Sequence, residues 1–233
     1  MPAKPHALLL TFLAVLCGLA IWGAFRLDAP VRTAVVASQG KDWKKSPDHT
    51  FHSNVRKFGD WPPVLLAAAA GLLVARWRNN RRWMHILFAA ILSAAISGLI
   101  AHAGKLTTGR TRPRESPKIE QGFYGPWKDG KSTVGNAALN AFPSGHTATV
   151  FGFAAVIVMA APAWGVAALA LAGLVAWSSI AMGAHHPSDV VVAIVLSFVV
   201  ARLVWHWMRG NGTRLADKIL RVPAPPEWTK SES

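Results

Sequence analysis

Ala184-His185-His186-Pro187-Ser188-Asp189 sets two imidazoles, a hydroxyl and a carboxylate close together in the chain. Asp189 is the only Asp, Glu, Lys or Arg between Lys131 and Arg202, in a stretch otherwise apolar enough to span lipid. A carboxylate is costly there and rare without a partner or a task. Pro187 suits a first helical turn, so a helix is expected from about His186, with Asp189 in its first turn and able to reach back to His185. A carboxylate that orients and charges a histidine serves a nucleophile or a proton-transfer group. The same carboxylate could equally cap the helix by accepting from backbone N–H groups. The segment alone leaves both open.

Two further groups carry the chemistry of phosphate binding. Lys105-Leu106-Thr107-Thr108-Gly109-Arg110-Thr111-Arg112-Pro113-Arg114 gathers four cations at the end of an apolar run. They repel one another unless solvent or an anion compensates them. Arginine offers a planar fork for phosphate oxygens and lysine a compact point charge. Snorkelling to the interface is the alternative, above all for Arg110 and Arg114. Ala141-Phe142-Pro143-Ser144-Gly145-His146-Thr147 precedes another apolar run. Pro143 is read as the start of that helix, leaving the N–H groups of Ser144, Gly145 and His146 for an anion, with His146 beside it.

The elements that must position these groups are apolar helices. Of the 233 residues 52% are hydrophobic and only 15% charged, and long apolar runs recur along the chain. Six segments can be drawn, at 8–25, 61–76, 83–103, 144–162, 163–183 and 187–208. The expected fold is an all-α, polytopic membrane bundle of six transmembrane helices. One domain covers 1–209, and a cytoplasmic C-terminal tail, 210–233, holds a short basic helix near Leu215–Arg221. The net charge of +14 does not gather on a soluble, aromatic-studded module, so nucleic acid is not an expected partner. Topology and anionic headgroups account for much of it. Cys17 is the single cysteine, which excludes a disulfide framework and a thiolate metal site. The first run is long for a signal core and lacks a small-x-small cleavage site, so it reads as a retained helix.

Arg76-Trp77-Arg78-Asn79-Asn80-Arg81-Arg82 is a dense basic hairpin and is assigned to the cytoplasm. The loops at 26–60 and after the third and fifth segments then face outward. Within the first, Trp43, Phe51, Val55 and Phe58 mix with Lys44, Lys45, Arg56 and Lys57, as in an interfacial helix or an ordinary amphipathic connector. This parity allows Lys105, Arg112, Ser144, His146, His185 and Asp189 to converge. Two histidines and a cationic anion pocket suffice for phosphoryl transfer: one imidazole attacks phosphorus, the other protonates the leaving oxygen, and the cations hold the equatorial oxygens.

In these residues the chain resembles the type 2 phosphatidic acid phosphatase (PAP2) superfamily, which shares its acid-phosphatase fold with vanadium haloperoxidases. The family's first motif, K-x6-R-P, corresponds to Lys105 and Arg112-Pro113. The second, P-S-G-H, is Pro143-Ser144-Gly145-His146, and the third, S-R-x5-H-x3-D, is matched at Ser178, His185 and Asp189. The resemblance covers about 100–190 closely. It implies that His185 is the nucleophile forming a phosphohistidine, Asp189 its orienting partner and His146 the general acid. It further implies that Lys105, Arg112, Ser144 and Gly145 hold phosphate, with no metal and no cofactor. The expected substrates are a phospholipid such as phosphatidic acid, a polyprenyl pyrophosphate or lipid A, met at the outer leaflet of a bacterial inner membrane from the periplasmic or exterior side. His186 is expected to be a spectator. One position departs from the pattern: the third-motif arginine falls at Ser179. An unreplaced charge-assisted contact costs about 2–3 kcal/mol. Arg110 and Arg114 are the candidates to fill the gap; otherwise the substrate differs or activity is weak. The rival readings are transfer of phosphate between lipids and, because of Ser179, a non-catalytic lipid-binding scaffold.

Overall fold

A computed structural model describes residues 5–116 and 118–222. Among them eight α-helices follow in order: α1 (Pro5–Ser38), α2 (Pro47–Lys57), α3 (Trp61–Trp77), α4 (Arg81–Thr108), α5 (Gly145–Ala160), α6 (Pro162–Ala181), α7 (Pro187–Trp207) and α8 (Thr213–Leu220). The strands among the described residues are two residues each, β1 (Trp127–Lys128) and β2 (Lys131–Ser132), antiparallel in the long loop before α5. The fold is all-α.

The centre of the bundle is α5, packed by α4, α6 and α7. Small side chains let these backbones approach: Ala89, Ala90 and Ala94 on α4, Ala154 and Ala155 on α5, and Ala193 and Ala201 on α7 are all buried. A methyl group on Gly152 would lie 2.9 Å from Ser97 Oγ and 3.0 Å from the Ser93 carbonyl, so α4 and α5 touch there at glycine distance. In lipid, where no hydrophobic force draws helices together, such close packing is what holds them.

Four helical stretches are long and apolar enough to cross a membrane: Leu8–Ser38, Arg81–Thr108, Pro162–Ala181 and Pro187–Leu220. The pair α2 and α3 meets the same test together, across a bend of 54°. At 16 residues α5 is shorter, about 24 Å at 1.5 Å per residue. Six complete spans are therefore more than length and hydropathy alone establish.

The N-terminal helix corrects one expectation. The interval 26–60 was expected to be loop, because Arg26, Asp28 and Arg32 end the apolar run. Instead α1 continues to Ser38. Its Asp28 is only 8% exposed, turned in against the start of α7 rather than out to water. After it, Ser46 accepts a hydrogen bond from the His49 N–H (3.0 Å) and Pro47 occupies the first turn, which starts α2. Val55 of α2 is buried toward α6, while Phe51 and Phe58 are exposed.

At the opposite end, Asn80 accepts from the Trp83 N–H (3.1 Å) to cap α4. The expected short basic helix is α8, held by Asp217 to Arg81 (2.8 Å) and His85 (2.7 Å). The tail from 223 onward lies outside the described residues.

Candidate active site

The C-terminus of α4, the N-terminus of α5 and the turn from α6 to α7 meet at one end of the bundle. Gly109 makes the exit from α4 possible. Its φ is +55°, and a methyl group there would lie 2.0 Å from the Gly125 carbonyl oxygen. The chain can therefore fold back over the site within one residue of the helix.

His185 stands in the α6–α7 turn, 2% exposed. Its Nδ1 is 2.7 Å from the Ala141 carbonyl oxygen. A carbonyl only accepts, so Nδ1 carries the proton and Nε2 keeps its lone pair. Burial first, then the charges of Lys105 and Arg112, hold the imidazole well below its usual pKa. It is a neutral base with a free nitrogen, the form a nucleophile needs.

Asp189 is fully buried. One carboxylate oxygen accepts from the His186 N–H at 2.7 Å, so the capping role is realised. That same Oδ2 lies 3.6 Å from His185 Nδ1, beyond a hydrogen bond but within reach of its charge. The other oxygen is ion-paired with Arg110, whose second nitrogen pairs with Asp28 of α1. Asp28 also accepts from the Ser188 N–H (3.0 Å) and hydroxyl (2.6 Å). The rings of Phe25, Phe123 and Phe142 stand 5.3, 4.5 and 5.7 Å from the Arg110 guanidinium carbon. Arg110 is thus committed on both edges and caged on its faces.

The other cations are not. A methyl group on Gly145 would come within 2.8 Å of Lys105 Nζ, which places that ammonium against the start of α5. Arg112 has only a marginal contact, 3.5 Å to the Asn140 carbonyl, and its Nε is buried without a partner. Burial, then Arg114 and Arg56, pull its pKa down to about 10. Cations crowded this way lower one another's stability until an anion arrives between them.

The start of α5 differs in one detail from the expectation. The helix begins at Gly145 with Ser144 as its cap, and the Ser144 N–H donates to the Asp189 carbonyl (3.1 Å). That N–H ties α5 to α7 and is not available to an anion. The N–H groups of Gly145 and His146, at the first two helical positions, have no such partner among the described residues. The Ser144 hydroxyl is bonded to that of Thr147 at 2.9 Å.

His146 shows a partner that sequence reasoning missed. Its Nε2 lies 2.7 Å from Asp60 Oδ1, at the bend between α2 and α3, and its Nδ1 is buried and unpaired. Asp60 precedes Trp61-Pro62-Pro63 and reads in the sequence as an ordinary helix-start acid. Beside it a cavity of about 240 Å³ is lined by Asp60, Trp61, Leu99, His102, Lys105 and His146. Leu99 of α4, at its rim, is 67% exposed, so the cavity opens sideways on an apolar flank.

His186, next to the candidate nucleophile, is engaged elsewhere. Its Nε2 is 3.1 Å from the Thr111 carbonyl, and burial together with Arg110 brings its pKa to about 4. Of the residues singled out from sequence, Lys105, Gly145 and His146 line the cavity. His185 lies within reach of the charges of Lys105, Arg112 and His146. Ser144 and Asp189 are buried beside it, while Arg110 and His186 pair with the surrounding scaffold.

A neutral imidazole, a second one paired with a carboxylate, and cations outside any ion pair and helix N–H groups without partners among the described residues are an arrangement chemically able to transfer a phosphoryl group, at one end of an apolar helical bundle. The PAP2 superfamily model matches residues 82–213, more than half of the chain. The protein belongs to that superfamily. Its sequence is 33% identical to a lipid A 1-phosphatase of Rhizobium etli over 102 residues, 44% of this chain and 41% of that protein. A lipid A 1-phosphatase of Porphyromonas gingivalis is 26% identical over 178 residues, 75% of this chain and 33% of the other. These alignments span well under half of the relatives' own length. No solved structure matches.

Proposed function

We propose that this protein is a lipid phosphatase of a bacterial inner membrane, releasing phosphate from a phosphomonoester or pyrophosphate on a lipid, with lipid A-type phosphate the first candidate. The observation that carries the reading is the neutral, Nε2-free His185 near Lys105 and Arg112, neither of which is in an ion pair among the described residues. The names of the relatives supply the choice of lipid.

In this mechanism Nε2 of His185 attacks phosphorus as the bond to the lipid oxygen breaks. Lys105, Arg112 and the N–H groups of Gly145 and His146 take up the charge on the equatorial oxygens. Asp60 holds the Nε2 proton of His146, and Nδ1, which takes up a second proton when the phosphate anion binds beside it, passes that proton to the departing lipid oxygen. Water, deprotonated by the same nitrogen, then attacks the phosphohistidine and releases phosphate. Asp189 stabilises the charge that develops on His185. The lateral cavity beside Leu99 admits the headgroup while acyl chains stay in lipid.

The test is a phosphate-release panel with purified protein in detergent, over lipid A, phosphatidic acid, phosphatidylglycerol phosphate and a polyprenyl pyrophosphate, with and without chelator. Release from lipid A, unchanged by chelator, is the expected result. Phosphate passed to a second lipid instead of water would make the protein a transferase, and binding without turnover would make it a scaffold.

The reading includes six spans, α1 and α3 to α7, with the site facing the periplasm. Arg76, Arg78, Arg81 and Arg82 then anchor the opposite, cytoplasmic face. In a Cys17→Ser background, Lys131→Cys should react with an impermeant thiol reagent on spheroplasts, and Arg78→Cys only after permeabilisation. Both positions are exposed in the folded chain. Labelling at 78 from outside would invert the orientation and move the site to the other leaflet.

A further inference from the structure

Ser179 leaves the phosphate pocket one cation short, and the two arginines nearest in the motif region do not make it up. Arg110 is locked between Asp28 and Asp189. Arg114 pairs with Glu115 at 3.3 Å, and its backbone is fixed by the Gly183 carbonyl at 3.0 Å.

The gap lies under α2. His52 Nδ1 and Ser178 Oγ share a hydrogen bond of 3.0 Å, and Val55 is buried in one cluster with Val175, so α2 lies across α6 at the height of Ser178 and Ser179. Just beyond the helix, a methyl group on Gly59 would lie 2.7 Å from His146 Cβ and 3.0 Å from Val175 Cγ1. The end of α2 is therefore pressed between α5 and α6. Asp60 then binds His146 at 2.7 Å.

Arg56 sits between these anchors. It follows His52 by four residues and so shares its face of the helix. Its side chain has no hydrogen bond or ion pair among the described residues and is half-buried. Its backbone is against Gly59, whose own neighbour is His146, and its charge acts on Lys105, Arg112 and His146. A half-buried guanidinium with Arg114 and Asp60 both within reach of its charge, and no hydrogen bond to its fork among the described residues, is suited to an incoming phosphate.

We propose that Arg56, delivered from α2, supplies the phosphate contact that Ser179 cannot make, gripping the same phosphoryl group as Lys105 and Arg112. The inference rests on the phosphatase reading above. It makes α2 part of the substrate site, and with it the exposed Phe51 on that short helix and Phe58 just after it. Recognition of the phosphate is then mechanically joined to the element that meets the lipid interface.

Arg56→Ala should lower kcat/KM for the best lipid of the panel about 30- to 100-fold, the worth of one charge-assisted contact. Inhibition by orthovanadate should weaken in parallel, with thermal unfolding unchanged. Arg56→Lys should fall between, because it keeps charge and loses the fork. The decisive variant is Arg56→Ala combined with Ser179→Arg, which should regain at least tenfold over Arg56→Ala. Ser179→Arg alone should lower activity, since two guanidinia then compete for one place. If Arg56→Ala keeps the wild-type kcat/KM and orthovanadate sensitivity, the proposal fails. Should the double variant not fold, the Ala and Lys variants decide through orthovanadate binding by calorimetry. That binding measurement also separates the two readings. A wild type that turns over no lipid but loses orthovanadate affinity in Arg56→Ala would overturn the phosphatase reading and leave Arg56 as an anion ligand.

Discussion

Replacing His185 with alanine should abolish phosphate release, by at least about 1000-fold in kcat, while His186→Ala retains most of it. The two imidazoles are neighbours in sequence and equally buried, at 2% and 3% exposure. Their hydrogen bonds separate them. His185 donates from Nδ1 to Ala141 and presents Nε2 to the cations. His186 bonds Thr111 through Nε2, on the Arg110 side, where an attacking nitrogen would find no phosphate. A single turnover on ³²P-lipid, quenched in alkali, should leave label on wild-type protein and none on His185→Ala. If His186→Ala were the inactive variant, the nucleophile would be the other histidine. Full activity in both would remove this turn from the chemistry.

Arg110→Leu should be the most destabilising single change in the site. The guanidinium answers two buried carboxylates at once, Asp28 and Asp189. Deleting one partner of a buried ion pair costs about 3–5 kcal/mol, because the remaining charge stays buried without compensation. Here two are stranded. In detergent the variant should melt far below wild type or fail to assemble. Arg110→Lys should recover little, since an ammonium cannot fork between two carboxylates and stack within three rings. Arg114→Ala is the contrast: its pair with Glu115 is partly exposed, and such pairs contribute no more than about 1 kcal/mol. An Arg110→Leu protein that melts like wild type but no longer binds orthovanadate would mean that Arg110 faces the substrate after all.

Helices and motif residues were legible in the sequence because they depend on local features. Apolar runs mark α4, α6 and α7, and Pro187 marks the start of α7 within a residue. What was not legible depends on long-range pairing. Arg26, Asp28 and Arg32 look like the end of a span, and only Arg110 and Ser188, far along the chain, explain why the helix continues through them. Asp60 looks like a helix-start acid until His146 is placed against it. Arg56 belongs to a stretch whose composition describes an amphipathic connector equally well; its role follows from where α2 rests on α6. Ser179 could be recognised as a departure, but what answers it lies more than one hundred residues earlier, outside any motif.

The Asp28 network also bears on how the chain is assembled. Asp28 precedes both of its partners in the chain: Arg110 follows only after α4, and Ser188 only with the first turn of α7. Until then the carboxylate has only Arg32, one helical turn along, to offset its charge. In the finished protein α1 packs chiefly on α7 and on the turn at Pro113–Glu115. This helix precedes the elements it packs on and is therefore seated only when they arrive. α1 and the start of α7 are locked together through one arginine, and a chain truncated before α7 would leave Asp28 and Arg110 without Ser188 and Asp189.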